Sequence, residues 1–308
     1  MITLLVLGAV PAAARQATPS APEVPPDPDL VELLQYDEAI PLDVQEIGVE
    51  ERDGAVIRDI TYVSPGRTVE AYLVEPATAN GTPAADSSLA GIVYFHWLAP
   101  DDPTANRTEF LEEAVALAPD GVVSVLIQGV FPWTEPPTDL DADRTAIVHE
   151  IQAARRAFDL LLARPDVDPD RLAFVGHDYG AMYGAALAAV DGRPAAYVML
   201  AATPRHADWN IVFWLAPAGM TPADQQAYRE GLSLLDPLTT VASAAPAAIL
   251  FQVASQDYYI SVPTAYELYA AASGPKEIEE YESDHKLNEE ARVARNLWLR
   301  QQLQLPGA

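Results

Sequence analysis

The chain has 308 residues, half of them hydrophobic, and 45 acidic against 18 basic side chains give it a formal charge of −27. That much apolar material suffices for one large α/β domain, whereas a surface this negative repels nucleic acid and anionic lipid and argues against both as partners. There is no cysteine, so disulfides, thiolate metal sites, thiol catalysis and a lipid-anchored cysteine are all excluded.

The first ten residues, Met1 to Val10, are an apolar run followed by Pro11-Ala12-Ala13-Ala14. This is the pattern of the apolar core and small-residue cleavage site of a secretory signal, although no positive charge precedes it. It is too short to be a stable membrane anchor. A buried N-terminal strand is the competing reading. Residues 15–29, rich in Pro, Ala and Ser, read as an exposed tether and favour export, to the periplasm or beyond the cell. The expected organisation is signal and linker over residues 1–35 and a single domain over 36–308.

That domain opens with strand-like alternation. Val56–Val63 and Val69–Val74 flank Ser64-Pro65-Gly66 and predict an antiparallel hairpin. Ile92–Phe95, Val122–Ile127, Leu172–Val175, Tyr197–Leu200 and Ala248–Phe251 are then short, continuous apolar runs, suited to parallel strands buried on both faces. Between them, Phe110, Leu111, Ala114, Val115 and Ala118 share one helical face, and Ile147, Ile151, Ala154, Phe158 and Leu161 share another. Prolines and acidic turn residues over Arg164–Asp170 end the second helix. The fold class is therefore α/β, with a mostly parallel central sheet covered by helices on both faces. Ligands of such sheets bind at the carboxyl ends of the strands.

At one such end stands Gly176-His177-Asp178-Tyr179-Gly180, between the run Leu172–Val175 and a small-residue helix, Ala181–Leu187. A tight strand-to-helix turn of this kind, with glycines two residues on either side, presents its central side chain as a nucleophile. Asp178 holds that place. Of five histidines, His285 follows the last strand and opens the last helix, where a loop-borne base faces the turn; a solvated loop histidine is the alternative. Asp257, after Ala248–Phe251, is the candidate to orient that base, with an ordinary turn aspartate as the alternative. Asp284 and Glu282 adjoin His285 in sequence and so point elsewhere.

Nucleophile, acid and histidine in this chain order resemble the α/β-hydrolase fold over residues from about 50 to 303. Asp166–Arg171 and the settings of Asp257 and His285 look most like the dienelactone hydrolase and exported esterase branch. The resemblance implies Asp178 as nucleophile, Asp257 as orienting acid and His285 as base. It also implies an oxyanion hole from the backbone N–H of Tyr179 and another near Trp97. The loop His96-Trp97-Leu98-Ala99-Pro100 replaces the His-Gly common in the family.

Aspartate in place of serine or cysteine changes the chemistry. A carboxylate attacking an ester would form an anhydride while expelling a poor alkoxide leaving group. It can, however, displace a leaving group from saturated carbon to give an alkyl-aspartyl ester. Epoxide hydrolases and haloalkane dehalogenases share the fold and use an aspartate in a similar elbow. Residues 203–245 are short for a full cap and read as a small lid, with Trp209 and Trp214 lining the pocket beside His96 and Tyr258, and Trp209-Asn210 as a candidate halide cradle. Core packing is the alternative for Trp214.

The expected protein is thus an exported hydrolase acting on a small, largely apolar molecule, with no cofactor, no metal and no stable membrane anchor, and an oligomeric state the sequence leaves open. The rival readings are a dienelactone hydrolase-like esterase or lactonase, in which Asp178 serves as a base for water, and a degenerate hydrolase retained as a binding module.

Overall fold

The computed structural model describes residues 24–77, 88–99 and 101–306; the proposed signal, Met1 to Ala14, lies outside them. Ahead of the domain, Asp27 caps helix α1 (Pro28–Leu33), accepting the Asp29 N–H. Leu30 and the following Leu34 are buried in the core. Packed chain therefore begins before residue 36, because these two leucines find an apolar surface to cover.

The nine strands are β1 (Gln45–Arg52), β2 (Ala55–Ser64), β3 (Arg67–Pro76), β4 (Leu89–Phe95), β5 (Val122–Ile127), β6 (Val167–His177), β7 (Ala196–Leu200), β8 (Ala248–Ala254) and β9 (Lys276–Tyr281). They form one sheet in the order β1-β2-β3-β5-β4-β6-β7-β8-β9. The first three are antiparallel, and β3 meets β5 antiparallel; from β5 to β9 every pairing is parallel. The continuous apolar runs are the central parallel strands, and every residue of β4, β5 and β7 is buried. The predicted hairpin is β2 and β3, joined with Ser64 opposite Arg67. In contrast β1 is almost wholly exposed, its Ile47 and Val49 included, and two apolar residues among charged ones make too short a pattern to mark it.

Helices cover both faces. On one lie α3 (Leu140–Leu162), α4 (Tyr179–Val190) and α8 (Val262–Ala271); on the other lie α2 (Leu111–Leu117) and α9 (Glu289–Gln302). The interval between β7 and β8 carries α5 (His206–Asn210), a π-helical turn over Ile211–Leu215, α6 (Pro222–Leu232) and α7 (Pro237–Thr240). Among the described residues no helix is long and apolar enough to cross a membrane.

Candidate active site

The turn from β6 into α4 puts Asp178 at φ 57°, ψ −118°, a backbone state costing a non-glycine residue about 1–3 kcal/mol. Its surroundings enforce it. A Cβ on Gly176 would lie 2.5 Å from the Gly180 carbonyl, and one on Gly180 would lie 2.3 Å from the Phe95 oxygen. Only glycine lets β6, α4 and the end of β4 approach this closely. The Asp178 N–H is anchored on the Leu200 carbonyl of β7 at 2.9 Å.

Three loops from the carboxyl ends of the strands converge on Asp178. From the loop after β4, the Leu98 N–H donates to Asp178 Oδ2 at 2.9 Å. From the loop after β9, His285 Nε2 lies 3.9 Å from the same oxygen. From the loop after β8, Asp257 Oδ2 accepts from His285 Nδ1 at 2.7 Å. The other Asp257 oxygen accepts the N–H groups of Tyr259 and Ile260 at 2.7 and 3.0 Å. With Nδ1–H committed to Asp257, Nε2 faces Asp178. Asp178 Oδ1 is buried without a partner. Asp284 instead accepts the Lys286 N–H, and Glu282 pairs with Gln256, so neither orients the imidazole.

Burial by itself would lower the His285 pKa, but hydrogen bonds and charge from Asp178 and Asp257 outweigh it and raise the value to about 9. Burial pushes the Asp178 carboxyl up against the pull of His285 and the Leu98 N–H. The same effect at Asp257 is overcome by its bond to His285, leaving that carboxyl below its usual value. At neutral pH the proton rests on His285, between two carboxylates. Because the folded pKa exceeds the unfolded value of about 6.5, this interaction stabilises the fold fully below about pH 6.5 and is lost as pH rises through about 9. The melting temperature is therefore expected to fall over that window, and Asp257→Asn to flatten the fall, as thermal denaturation at stepped pH will test.

The backbone donor that the loop after β4 offers to Asp178 lies one residue beyond the expected Trp97. The Trp97 N–H is spent on Glu109 Oε2 at 2.8 Å, which leaves Leu98 as the donor aimed at Asp178. Tyr179 opens α4, so its N–H is one of the first-turn groups without an intrahelical partner. A pocket of about 660 Å³ opens over Asp178 and His285, lined by Trp97, Leu98, Trp209, Phe213, Trp214 and Tyr259. Trp209 and Trp214 line it as expected.

Two expected substrate contacts do not. His96 is buried and outside the pocket: Nε2 accepts the Gly129 N–H at 2.9 Å, leaving Nδ1 to donate to the Trp97 carbonyl at 3.0 Å. Burial lowers its pKa to about 4, so it is a neutral structural imidazole. Tyr258 is 89 % exposed; the Asp257 turn brings in Tyr259 instead, whose ring meets His285 edge-on at 5.1 Å. The halide cradle also fails in its second member. Asn210 is fully buried and accepts from the Tyr179 hydroxyl while donating to Tyr228, each at 2.8 Å. The Tyr228 hydroxyl is itself spent on Asp143 at 2.5 Å.

Sequence reasoning missed Leu98, Tyr259 and Glu109. Leu98 has no signal, since its contribution is a backbone N–H; Tyr259 could have been preferred from the habit of aspartate of turning the chain over the next two residues. Phe213 precedes Trp214 in the π-helical turn, and both stand on the pocket wall. Among the described residues, no group of three or more His, Asp or Glu side chains is placed to hold a metal ion.

The chain matches no protein-family model and no curated protein in sequence. Among solved structures it is similar to an acetyl xylan esterase from Paenibacillus sp. R4, with a TM-score of 0.72 and 19% identity over 91% of this chain and 96% of that one. Acetyl xylan esterase 1 from Thermoanaerobacterium sp. JW/SL YS485 gives 0.67 and 14% over 90% and 95%. A glucuronoyl esterase from Solibacter usitatus gives 0.60 and 14% over 89% and 91%. With the strand order, the elbow after β6 and matches that span nearly the whole of each partner, the chain has the α/β-hydrolase fold.

Proposed function

We propose that this protein is a hydrolase of a small, largely apolar molecule, in which Asp178 forms an alkyl-aspartyl ester that His285 and water cleave. One observation carries the reading: Asp178 Oδ2 already occupies the Leu98 N–H, while Oδ1 is buried and unbonded. A carboxylate so held has one oxygen whose lone pairs no donor engages, so that it can reach carbon once a substrate packs against it, and the other beside a backbone N–H that can hold an oxyanion.

Attack by Oδ1 on saturated carbon breaks the bond to the leaving group, which departs with the electron pair. The negative charge of Asp178 disappears with ester formation, and with it a main reason for the raised pKa of His285. The imidazolium surrenders its proton, to a leaving oxygen or to solvent, and becomes the base. It then takes a proton from water, and the hydroxide adds to the Asp178 carbonyl carbon. The resulting oxyanion on Oδ2 is held by Leu98 N–H, with Tyr179 N–H as second donor. Collapse expels the alkoxide, which takes the proton back from His285 and leaves as the alcohol; Asp178, left as the carboxylic acid, passes its proton to His285, and carboxylate and imidazolium are both restored. Epoxides and haloalkanes are the substrate types that fit this sequence.

A second reading, hydrolysis of a carboxylic ester or lactone, is favoured by the esterases among the structural neighbours. It is favoured also by the engagement of Asn210, Tyr228 and the Tyr179 hydroxyl elsewhere, which removes donors that a departing halide or epoxide oxygen would use. Here Asp178 takes a proton from water while the His285 imidazolium protonates the departing alcohol.

A panel of small epoxides, haloalkanes, lactones and activated esters, each run for a single turnover in heavy-oxygen water, separates the two. Label is expected in the Asp178 carboxylate; label in the product alone would overturn the covalent route in favour of the second reading. Absence of turnover across the panel would support a binding module. The apolar run at the N-terminus is proposed as an export signal, tested by the N-terminal residue of the mature protein.

A further inference from the structure

Beneath the reacting groups lies a buried pair that neither reading of the reaction uses. In β6, successive side chains alternate between sheet faces, so His177 follows Ala173 and Val175 toward the face covered by α2, away from the pocket. There its Nδ1 meets Glu109 Oε1 at 2.6 Å, just ahead of α2. Its Nε2 donates to the backbone carbonyl of His285 at 3.0 Å. The second Glu109 oxygen accepts the Trp97 N–H at 2.8 Å. The Trp97 indole lies flat on the His177 ring, 5.2 Å between centroids and 4° from parallel. His177 is fully buried.

One chain of hydrogen bonds thus runs from the backbone of Trp97 through Glu109 and His177 to the backbone of His285. Its ends adjoin the two groups whose spacing matters: Leu98, whose N–H holds Asp178, and the His285 imidazole. We propose that Glu109 and His177 are positioning residues, a buried clasp that fixes the loop after β4 and the loop after β9 relative to each other across the elbow. The role rests on Asp178 and His285 being the reacting pair. With Nε2–H given to the His285 carbonyl, the 2.6 Å contact requires a second proton between Nδ1 and Glu109 Oε1; such a buried charge-assisted hydrogen bond is short and directional, and neither loop has regular structure to hold it.

The test is ¹⁵N-histidine NMR of the whole protein, with amide hydrogen exchange at Leu98, because neither requires a substrate. Asparagine places its amide nitrogen near His Nδ1, and glutamine places it near Nε2. His177→Asn keeps the Glu109 bond and severs the one to His285; His177→Gln does the reverse. Glu109→Gln accepts from Trp97 and donates to Nδ1, keeping the chain intact. In the wild type and in Glu109→Gln, His285 is expected to titrate near 9, flanked by Asp178 and Asp257 and by the rings of His177, Trp97, Trp209 and Tyr259.

His177→Asn is expected to move that titration toward the ordinary value of about 6.5. His177→Gln is expected to leave it in place while exchange at Leu98 quickens about tenfold or more. On any panel substrate, His177→Asn is expected to lower kcat with KM unchanged. Unaltered His285 titration and Leu98 exchange in folded His177→Asn and His177→Gln would overturn the clasp, as would Glu109→Gln behaving like His177→Asn. A panel without turnover would defeat the hydrolase reading while leaving these spectra to judge the clasp.

Discussion

Replacing Asp178 by asparagine is expected to lower kcat by about 10⁴-fold or more, the scale seen when a reacting member of a catalytic unit is removed. The change keeps the side-chain shape and can retain the Leu98 N–H bond on the amide oxygen, so the elbow should still form. What it removes is the anionic Oδ1, which is buried and unbonded. The melting curve of the variant checks that activity, and not folding, was lost. Asp178→Ser is the informative companion. Serine frees the Leu98 N–H from the enzyme's own carboxylate and sets a hydroxyl beside His285. It also deletes one of the two charges that hold the imidazole protonated, so His285 is expected to become a base near neutral pH. That variant is expected to hydrolyse p-nitrophenyl acetate with an initial burst that the wild type lacks. Absence of the burst in a folded Asp178→Ser protein would mean that the donors beside Asp178 are not arranged for an acyl intermediate.

The second large effect belongs to His285. If Asp178 forms an ester, the first step needs no base, and only its hydrolysis does. With a haloalkane, whose leaving halide needs no proton, His285→Gln is therefore expected to permit alkylation and stop there. Multiple turnover should fall by about 10³-fold or more, while the intact mass of the protein rises by that of the alkyl fragment, with the adduct on the peptide bearing Asp178. Loss of activity without adduct would point instead to the second reading, in which the His285 imidazolium is needed as an acid. Asp257→Asn should give a milder version of the same behaviour. The 2.7 Å bond to Nδ1 fixes the tautomer and orientation of the ring and does not itself touch the reacting atoms.

The difference between these experiments lies in a detail of electrostatics. An imidazole between two carboxylates is a poor base at neutral pH, because its proton is held by both. It becomes a good one when one carboxylate loses its charge. A nucleophilic Asp178 supplies that change within the reaction itself. An Asp178 that serves only as a base for water would leave His285 protonated through the attack, fit to serve as an acid. The pocket admits either course: its aromatic walls offer an apolar surface without specifying which bond is to break.

The sequence by itself determined the frame and the convergence point. Continuous apolar runs suit strands buried on both faces, and alternating with amphipathic helices they mark the central parallel strands of this sheet. Gly176 and Gly180 flank Asp178 because backbone lies where their Cβ atoms would be, and the places of Asp257 and His285 after the later strand runs single them out as candidate partners. Tertiary structure alone decided which atoms face that point. No side-chain pattern announces the Leu98 N–H. A single turn around Asp257 decides between Tyr258 and Tyr259, and burial turns His96 and Asn210 from ligand candidates into satisfied structural groups. The pairing of Glu109 with His177, 68 residues apart, exists only because α2 packs on the face toward which His177 points. Periodicity records which side of a strand or helix is buried; it carries no information about the loops, where hydrogen bonds made between distant segments choose the groups that remain free to react.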